Sequence, residues 1–210
     1  DRHATEEIPL SATTATTGTT GPRATRHVRV LADLVPGTRT RDLVLVLAAT
    51  ALLVIAGRIA IPLPFTPVPI SLATLGVVLT GAVLGPVRAL ASSGLYLLLG
   101  VLGAPVFADG GAGWAFASFG YVIGYVLAAT LVGWLASRGS DRSVWRMALA
   151  MVLGTAVVYA AGLAWLVPFL GVGLREGLAL GVVPFLIGDA LKTLVAATCL
   201  PLAWKMVQRG

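Results

Sequence analysis

From residue 43 onward the chain is built almost wholly of apolar residues, and its charges are confined to a few narrow places. Uncharged runs extend from Leu43 to Gly57, Ile59 to Val87, Ala89 to Ala108, Gly110 to Ser137 and Met147 to Leu174. Four of these five runs reach the roughly 20 residues a helix needs to cross the hydrocarbon core of a bilayer. With Pro, Gly and charged residues as punctuation, the pattern predicts an all-α polytopic membrane protein. The expected bundle has six transmembrane helices, over about 42–61, 69–85, 88–103, 118–137, 145–167 and 184–206. Gly85-Pro86-Val87-Arg88 reads as a tight turn between the antiparallel second and third helices.

Residues 1–40 carry a Thr-rich stretch from Ser11 to Thr20 and scattered arginines, with no hydrophobic period that could bury a face. They are expected to form a disordered cytoplasmic tail, without the short apolar core of a signal peptide; residues 41–207 form the membrane-embedded domain. Composition agrees, with 57% hydrophobic and 11% charged residues and a mean hydropathy of +0.92. Soluble domains hold about 25% charged residues.

The formal charge of +6 is spread among the apolar spans, where basic residues set topology; no nucleic-acid partner is expected. A cytoplasmic N-terminus puts Arg39, Arg41, Arg88, Arg138, Arg142, Arg146, Lys205 and Arg209 inside and leaves Arg58 and Arg175 outside. That asymmetry favours an even number of spans with both termini cytoplasmic. Cys199, the single cysteine, reads as a small buried hydrophobe.

Three places break the apolar pattern in ways that suggest chemistry. Ile61 to Ile70 holds Pro62, Pro64, Pro67 and Pro69, which lack amide donors and forbid regular helix. An extended connector at membrane depth must be enclosed by protein or line a water-filled cavity, so this segment is either a stiff outer loop or a wall of a ligand site. Gly103 to Trp114 is glycine-rich and lies on the same expected outer side. Its glycines let backbone approach a ligand while Phe107 and Trp114 offer apolar faces; an interfacial loop with a Trp anchor is the plainer alternative.

The third break is Gly188-Asp189-Ala190-Leu191-Lys192, inside an otherwise apolar segment. At i and i+3 the two charges share one helix face, and intramembrane charges face the bundle interior or a cavity. They can form a structural ion pair or converge on a ligand. Arg58, at the outer end of the first helix, can snorkel to headgroups. No Gly-x-x-x-x-Gly-Lys-Ser/Thr phosphate loop is present, so the chain cannot harvest ATP alone and no enzymatic role is expected. His3 and His27 fall in the tail and no Cys/His/carboxylate cluster suggests a metal; no cofactor is expected.

Taken together, the connector Ile61 to Ile70, the stretch Pro105 to Gly113 and the segment Pro184-Phe185-x-x-Gly188-Asp189-x-x-Lys192 resemble BioY proteins, the biotin-specific substrate-binding subunits of energy-coupling factor transporters. The resemblance spans about residues 42–205. It implies a six-helix bundle that binds biotin from the outer side and works with a transmembrane coupling protein and a pair of cytoplasmic ATPases. It makes Asp189 and Lys192 part of the vitamin site; Phe107, Gly110, Gly111, Tyr121, Tyr96 and Phe65 are expected as further ligand contacts. The Ala-rich first helix, including Ala56 and Ala60, resembles the surface on which the coupling protein docks.

Two segments depart from the family's usual pattern. The second helix often carries Gln in a Thr-x-x-Gln-Thr-like context where this chain has Ser71-Leu72-Ala73-Thr74. The fourth commonly opens Gly-Pro-Thr-Gly-Gly-Tyr, here Ala117-Ser118-Phe119-Gly120-Tyr121. A subunit for another vitamin is the alternative within the class. An intramembrane hydrolase is disfavoured, because Asp189 is the one carboxylate well inside a span and no Ser–His pair lies within the spans. A channel needs no saturable site.

Overall fold

A computed structural model describes residues 30–35, 37 and 39–209; the tail expected over 1–40 lies for its first 29 residues outside the described residues. The fold is mostly helical. Helices α1 (Arg39–Arg58), α2 (Ala73–Leu84), α3 (Pro86–Val101), α4 (Phe119–Ser137), α5 (Val144–Leu170), α6 (Leu174–Gly181) and α7 (Leu186–Arg209) are joined by short irregular pieces. Strands β1 (Ala60–Leu63) and β2 (Thr66–Ser71) form an antiparallel hairpin between α1 and α2.

The all-α expectation is corrected at this hairpin. Pro67 and Pro69 keep residues 66–71 extended, so the span expected over 69–85 becomes a strand feeding a helix of 12 residues. Among the described residues, four segments can cross a membrane by length and composition: Arg39–Arg58, Phe119–Ser137, Val144–Leu170 and Leu174–Val207. The shorter apolar helices α2 and α3 complete the bundle. Two further details go beyond the expected spans. Helix α5 runs through Pro168 and stops only at Gly171, which takes the left-handed conformation (φ 68°) that ends helices. The short α6, whose eight residues carry too little pattern to be seen, follows at once.

Helix α4 is the centre of the bundle, packed against α2, α3 and α5. Its small residues make that possible. A methyl group at Gly133 would lie 2.7 Å from the backbone of Gly85, and one at Gly124 would lie 2.8 Å from Val158 Cα. The α2–α3 turn is equally dependent on glycine, since Gly85 sits at φ 78° directly before Pro86 at the start of α3.

The bundle has two unlike ends. At one, the starts of α1, α3 and α5 meet the ends of α2, α4 and α7. Arg88 bridges Asp33 (3.0 Å) and Asp42 (3.1 Å), Arg41 pairs with Asp42 (2.7 Å), and Trp204 donates its indole N–H to the buried Asp141. Residues 30–35, expected within the tail, belong to this end: Val30 and Ala32 are each 3% exposed in an apolar cluster with Val78, Met147 and Ala196. The other end carries the hairpin, the loop from Gly103 to Ser118 and the start of α7. Cys199 is exposed on the outer face of α7, not buried as expected, because Ala196, Ala197 and Leu200 take the inward positions.

Candidate ligand site

At the hairpin end the helices part around a cavity of about 270 Å³, near the lower end of the roughly 300–1,000 Å³ usual for small-molecule sites. The first two turns of α7 supply its ion pair. Asp189 is 7% exposed, and its Oδ1 lies 2.9 Å from Lys192 Nζ on the same helix face. Placement at a helix N-terminus also favours the carboxylate, which faces the positive end of the backbone dipoles.

The pair is held by a closed set of hydrogen bonds. Lys192 Nζ donates to Ser71 O (2.8 Å), Thr74 Oγ1 (2.8 Å) and Asp189 Oδ1 (2.9 Å), which uses all three ammonium protons. Asp189 accepts from Tyr159 through Oδ2 (2.5 Å) and, more loosely, from Thr74 through Oδ1 (3.4 Å). The end of β2, the start of α2, the middle of α5 and α7 are thereby tied together.

All four tyrosines of the chain, Tyr96, Tyr121, Tyr125 and Tyr159, line the same cavity from α3, α4 and α5. Tyr121 donates to Gly181 O at 2.7 Å and so fixes the end of α6. Tyr96 packs edge-on against Phe107 with ring centroids 5.3 Å apart, and Phe107 meets Phe116 at 5.6 Å. Phe107 enters the bundle because α3 has no side chain at Gly100: a methyl group there would overlap the ring. Behind Phe107 the loop folds on itself through Phe107 N–H to Gly111 O (3.1 Å) and Gly110 N–H to Phe107 O (3.2 Å). Asp109 takes a left-handed conformation (φ 54°), uncommon for a residue with a side chain.

Single bonds anchor the covering segments. Arg58, at the end of α1, donates to Pro105 O in the Gly-rich loop. Thr66 of the hairpin donates to Leu180 O of α6 at 2.7 Å, and Trp165 of α5 donates to Phe116 O at 2.9 Å. The hairpin also contributes Pro67, Val68, Pro69 and Ser71 to the wall, and the Gly-rich loop contributes Ala108, Asp109 and Gly111.

Six of the residues expected at the site, Asp189, Lys192, Phe107, Gly111, Tyr121 and Tyr96, come together around this cavity. Two do not. Phe65 is 62% exposed at the hairpin tip, and Gly110 lies in the loop beside the lining residues Asp109 and Gly111. Of the residues expected to dock a coupling protein, Ala56 is 8% exposed with its methyl facing Gly76 of α2, and Ala60 is half-buried in β1 opposite Ser71. Thr74, Ser71, Tyr125 and Tyr159 were not singled out as ligand contacts. For Tyr125 and Tyr159 the signal is a lone phenol inside an apolar span, which needs a partner once buried.

Comparison with known proteins gives one consistent result. The model of the BioY family matches residues 25–209. The biotin transporter BioY of Rhizobium etli is 37% identical over 169 residues, covering 75% of this chain and 90% of that protein. The biotin transporter BioY of Thermotoga maritima is 36% identical over 151 residues, covering 70% and 86%. A 2.1 Å crystal structure of the S-component for biotin from an ECF-type ABC transporter superposes with a TM-score of 0.71 at 27% identity, covering 80% of this chain and 92% of that one.

Proposed function

The chain belongs to the BioY family, and from that premise we propose that it is the membrane subunit that captures biotin for uptake by an energy-coupling module. It crosses the plasma membrane six times with both termini in the cytoplasm, takes biotin from the outer side and releases it inward. A transmembrane coupling protein and a pair of cytoplasmic ATPases drive that cycle; the chain is not itself an enzyme.

The observation that carries this reading is the Asp189–Lys192 pair set in a small cavity walled largely by tyrosine, phenylalanine, valine and proline, with Asp109 at the Gly-rich loop. Biotin has a compact ureido ring with two N–H donors and one carbonyl acceptor, an apolar thioether ring and a carboxylate tail. A carboxylate and an ammonium 2.9 Å apart present one acceptor and one donor side by side, which suits the ureido ring. The valeryl carboxylate would meet Asp189 as a like charge, so the ureido ring is assigned to the pair.

Calorimetric titration of the purified chain with biotin and with other vitamins tests the reading. Biotin should saturate one site per chain while the others give no heat; saturation by another vitamin, and not by biotin, overturns it. Biotinamide, which lacks the tail's charge, should bind within about tenfold of biotin, because an exposed charge pair contributes only about 0.2–1 kcal/mol. Loss of all binding on amidation would instead put the carboxylate on Lys192.

A further inference from the structure

At the opposite end of the bundle, between the end of α4 and the start of α5, lies a second hollow of about 220 Å³. It is bounded by Leu135, Leu149 and Leu153 along the helices and by Arg138, Arg146 and Ser140 at the turn. Two kinds of chemistry thus meet in one place, and neither belongs to the site described above. Leu149 and Leu153 are 51% and 43% exposed on the outer face of α5, where the neighbour of a membrane protein is acyl chain. Both arginines border the hollow at its polar rim. Among the described residues neither forms an ion pair; Arg138 stacks instead on Trp134, its guanidinium carbon 3.7 Å from the ring centroid.

Depth in the bilayer follows from the aromatic residues. Trp134 and Trp145 are 42% and 79% exposed on the same rim, and tryptophan concentrates at the headgroup level. The guanidinium groups therefore lie at the depth of lipid phosphates. Guanidinium binds phosphate through paired N–H donors and is weakly hydrated, so it holds such a group better than an ammonium does. Ser140 adds an independent sign. It is 8% exposed, and its hydroxyl is buried with no hydrogen-bond partner, a condition that is uncommon in native structures and calls for one.

We propose that this hollow is a binding site for one anionic phospholipid. Its phosphate lies between Arg138 and Arg146 with Ser140 donating to it, and an acyl chain runs down the groove formed by Leu135, Leu149 and Leu153. A zwitterionic lipid carries the same phosphate but adds a cation that the two arginines repel, so the site selects net negative headgroups. The proposal does not depend on what the cavity at the other end binds.

The test reconstitutes the full chain in vesicles of phosphatidylcholine and phosphatidylglycerol, with bromine on the chains of one lipid at a time, and reads quenching of tryptophan fluorescence. The wild type should favour phosphatidylglycerol by about 25-fold, since each of the two arginines near an anionic headgroup contributes on the order of a fivefold preference. Arg138→Gln/Arg146→Gln should bring the ratio near one, and Arg138→Lys/Arg146→Lys should keep part of it. Ser140→Ala removes a donor to a phosphate that both lipids carry, so it should weaken quenching by either lipid about threefold, the effect of one net hydrogen bond, and leave their ratio unchanged. Equal quenching by the two lipids in the wild type overturns the proposal, as does an undiminished preference in the glutamine variant or, if that variant does not fold, in the single variant Arg138→Gln. Loss of the preference on adding millimolar inorganic phosphate would show that the hollow takes a free anion and would overturn the lipid assignment.

Discussion

Replacing Lys192 or Asp189 by alanine removes one member of a pair whose side chains are 12% and 9% exposed and whose N–O distance is 2.9 Å. Breaking a buried pair from one side costs about 3–5 kcal/mol, because the remaining charge is left uncompensated. The surroundings soften the loss in both cases. Without Asp189, Lys192 keeps Ser71 O and Thr74 Oγ1; without Lys192, Asp189 keeps the hydroxyls of Tyr159 and Thr74. Each single variant should therefore lose stability near the lower bound, about 3 kcal/mol. The double variant buries no stranded charge and should lose no more than either single one, which gives a coupling energy of about 3 kcal/mol. Denaturant unfolding in mixed micelles, followed by far-ultraviolet circular dichroism, measures the cycle. Biotin titration of the folded variants measures the other half: each single change should weaken binding by about 2–5 kcal/mol, roughly 30-fold to several-thousand-fold. Additive stability losses would show that the two charges act independently, and unchanged biotin affinity in both single variants would move the pair from the site to a structural role.

Tyr159→Phe removes the donor 2.5 Å from Asp189 Oδ2 and should cost about 1.5–3 kcal/mol of stability, the range for hydrogen bonds to charged groups, read in the same unfolding assay. Gly100→Ala forces the Phe107 ring out of its slot and, at about 1–3 kcal/mol for overpacking, should weaken biotin binding more than Gly94→Ala, where a methyl group meets nothing within 4 Å. Asp141 lies in the turn between α4 and α5, outside the spans, and burial pushes its carboxyl above the ordinary value of 3.8, opposed by the Trp204 hydrogen bond and the charges of Arg142 and Arg146. The folded state therefore holds this proton more tightly than the unfolded one. Its contribution to stability is full below about pH 3.8 and is lost as pH rises through the raised value. Asp141→Asn keeps an acceptor for Trp204 without the charge, so its Tm should be at least that of the wild type at pH 7 and gain nothing at pH 3.5; the opposite order would refute the reading.

The sequence displays helices wherever an apolar run is long and its ends are marked, which is why α1, α3, α4 and most of α7 lie within about four residues of expectation. It displays charge equally well: Asp189 and Lys192 stand out because nothing near them is polar. Elements decided by tertiary context are harder to read. Pro67 and Pro69 announce extended backbone but not its partner, since pairing of Ile61 with Ile70 is set by a turn at Pro64 and Phe65 that carries no glycine. Helix α6 has eight residues, hardly two turns, and is held by Tyr121 and Thr66 from distant parts of the chain. Small residues such as Ala56 are ambiguous for a complementary reason: they permit close approach without saying whose helix approaches, and within this chain α2 faces Ala56.

The site's polar network explains why it can be both buried and ready. An isolated Asp–Lys pair at this depth would carry a desolvation cost that its own attraction barely offsets. Here Ser71, Thr74 and Tyr159 complete the hydrogen bonding of both charges from three other elements. A ligand entering from the loop end must offer these groups partners as good as those it displaces, and apolar solutes cannot. Selectivity then arises from the penalty for leaving a satisfied network unsatisfied, a larger effect than any single new contact supplies. The covering segments work in the other direction. Bonds such as Arg58 to Pro105 O and Thr66 to Leu180 O fasten the Gly-rich loop and the hairpin to their neighbours, and each contributes only about 0.5–3 kcal/mol net. Opening the roof therefore costs far less than dismantling the glycine-packed helices beneath it. Access and recognition are governed by different parts of the fold, with the weak bonds at the rim and the strong ones at the floor.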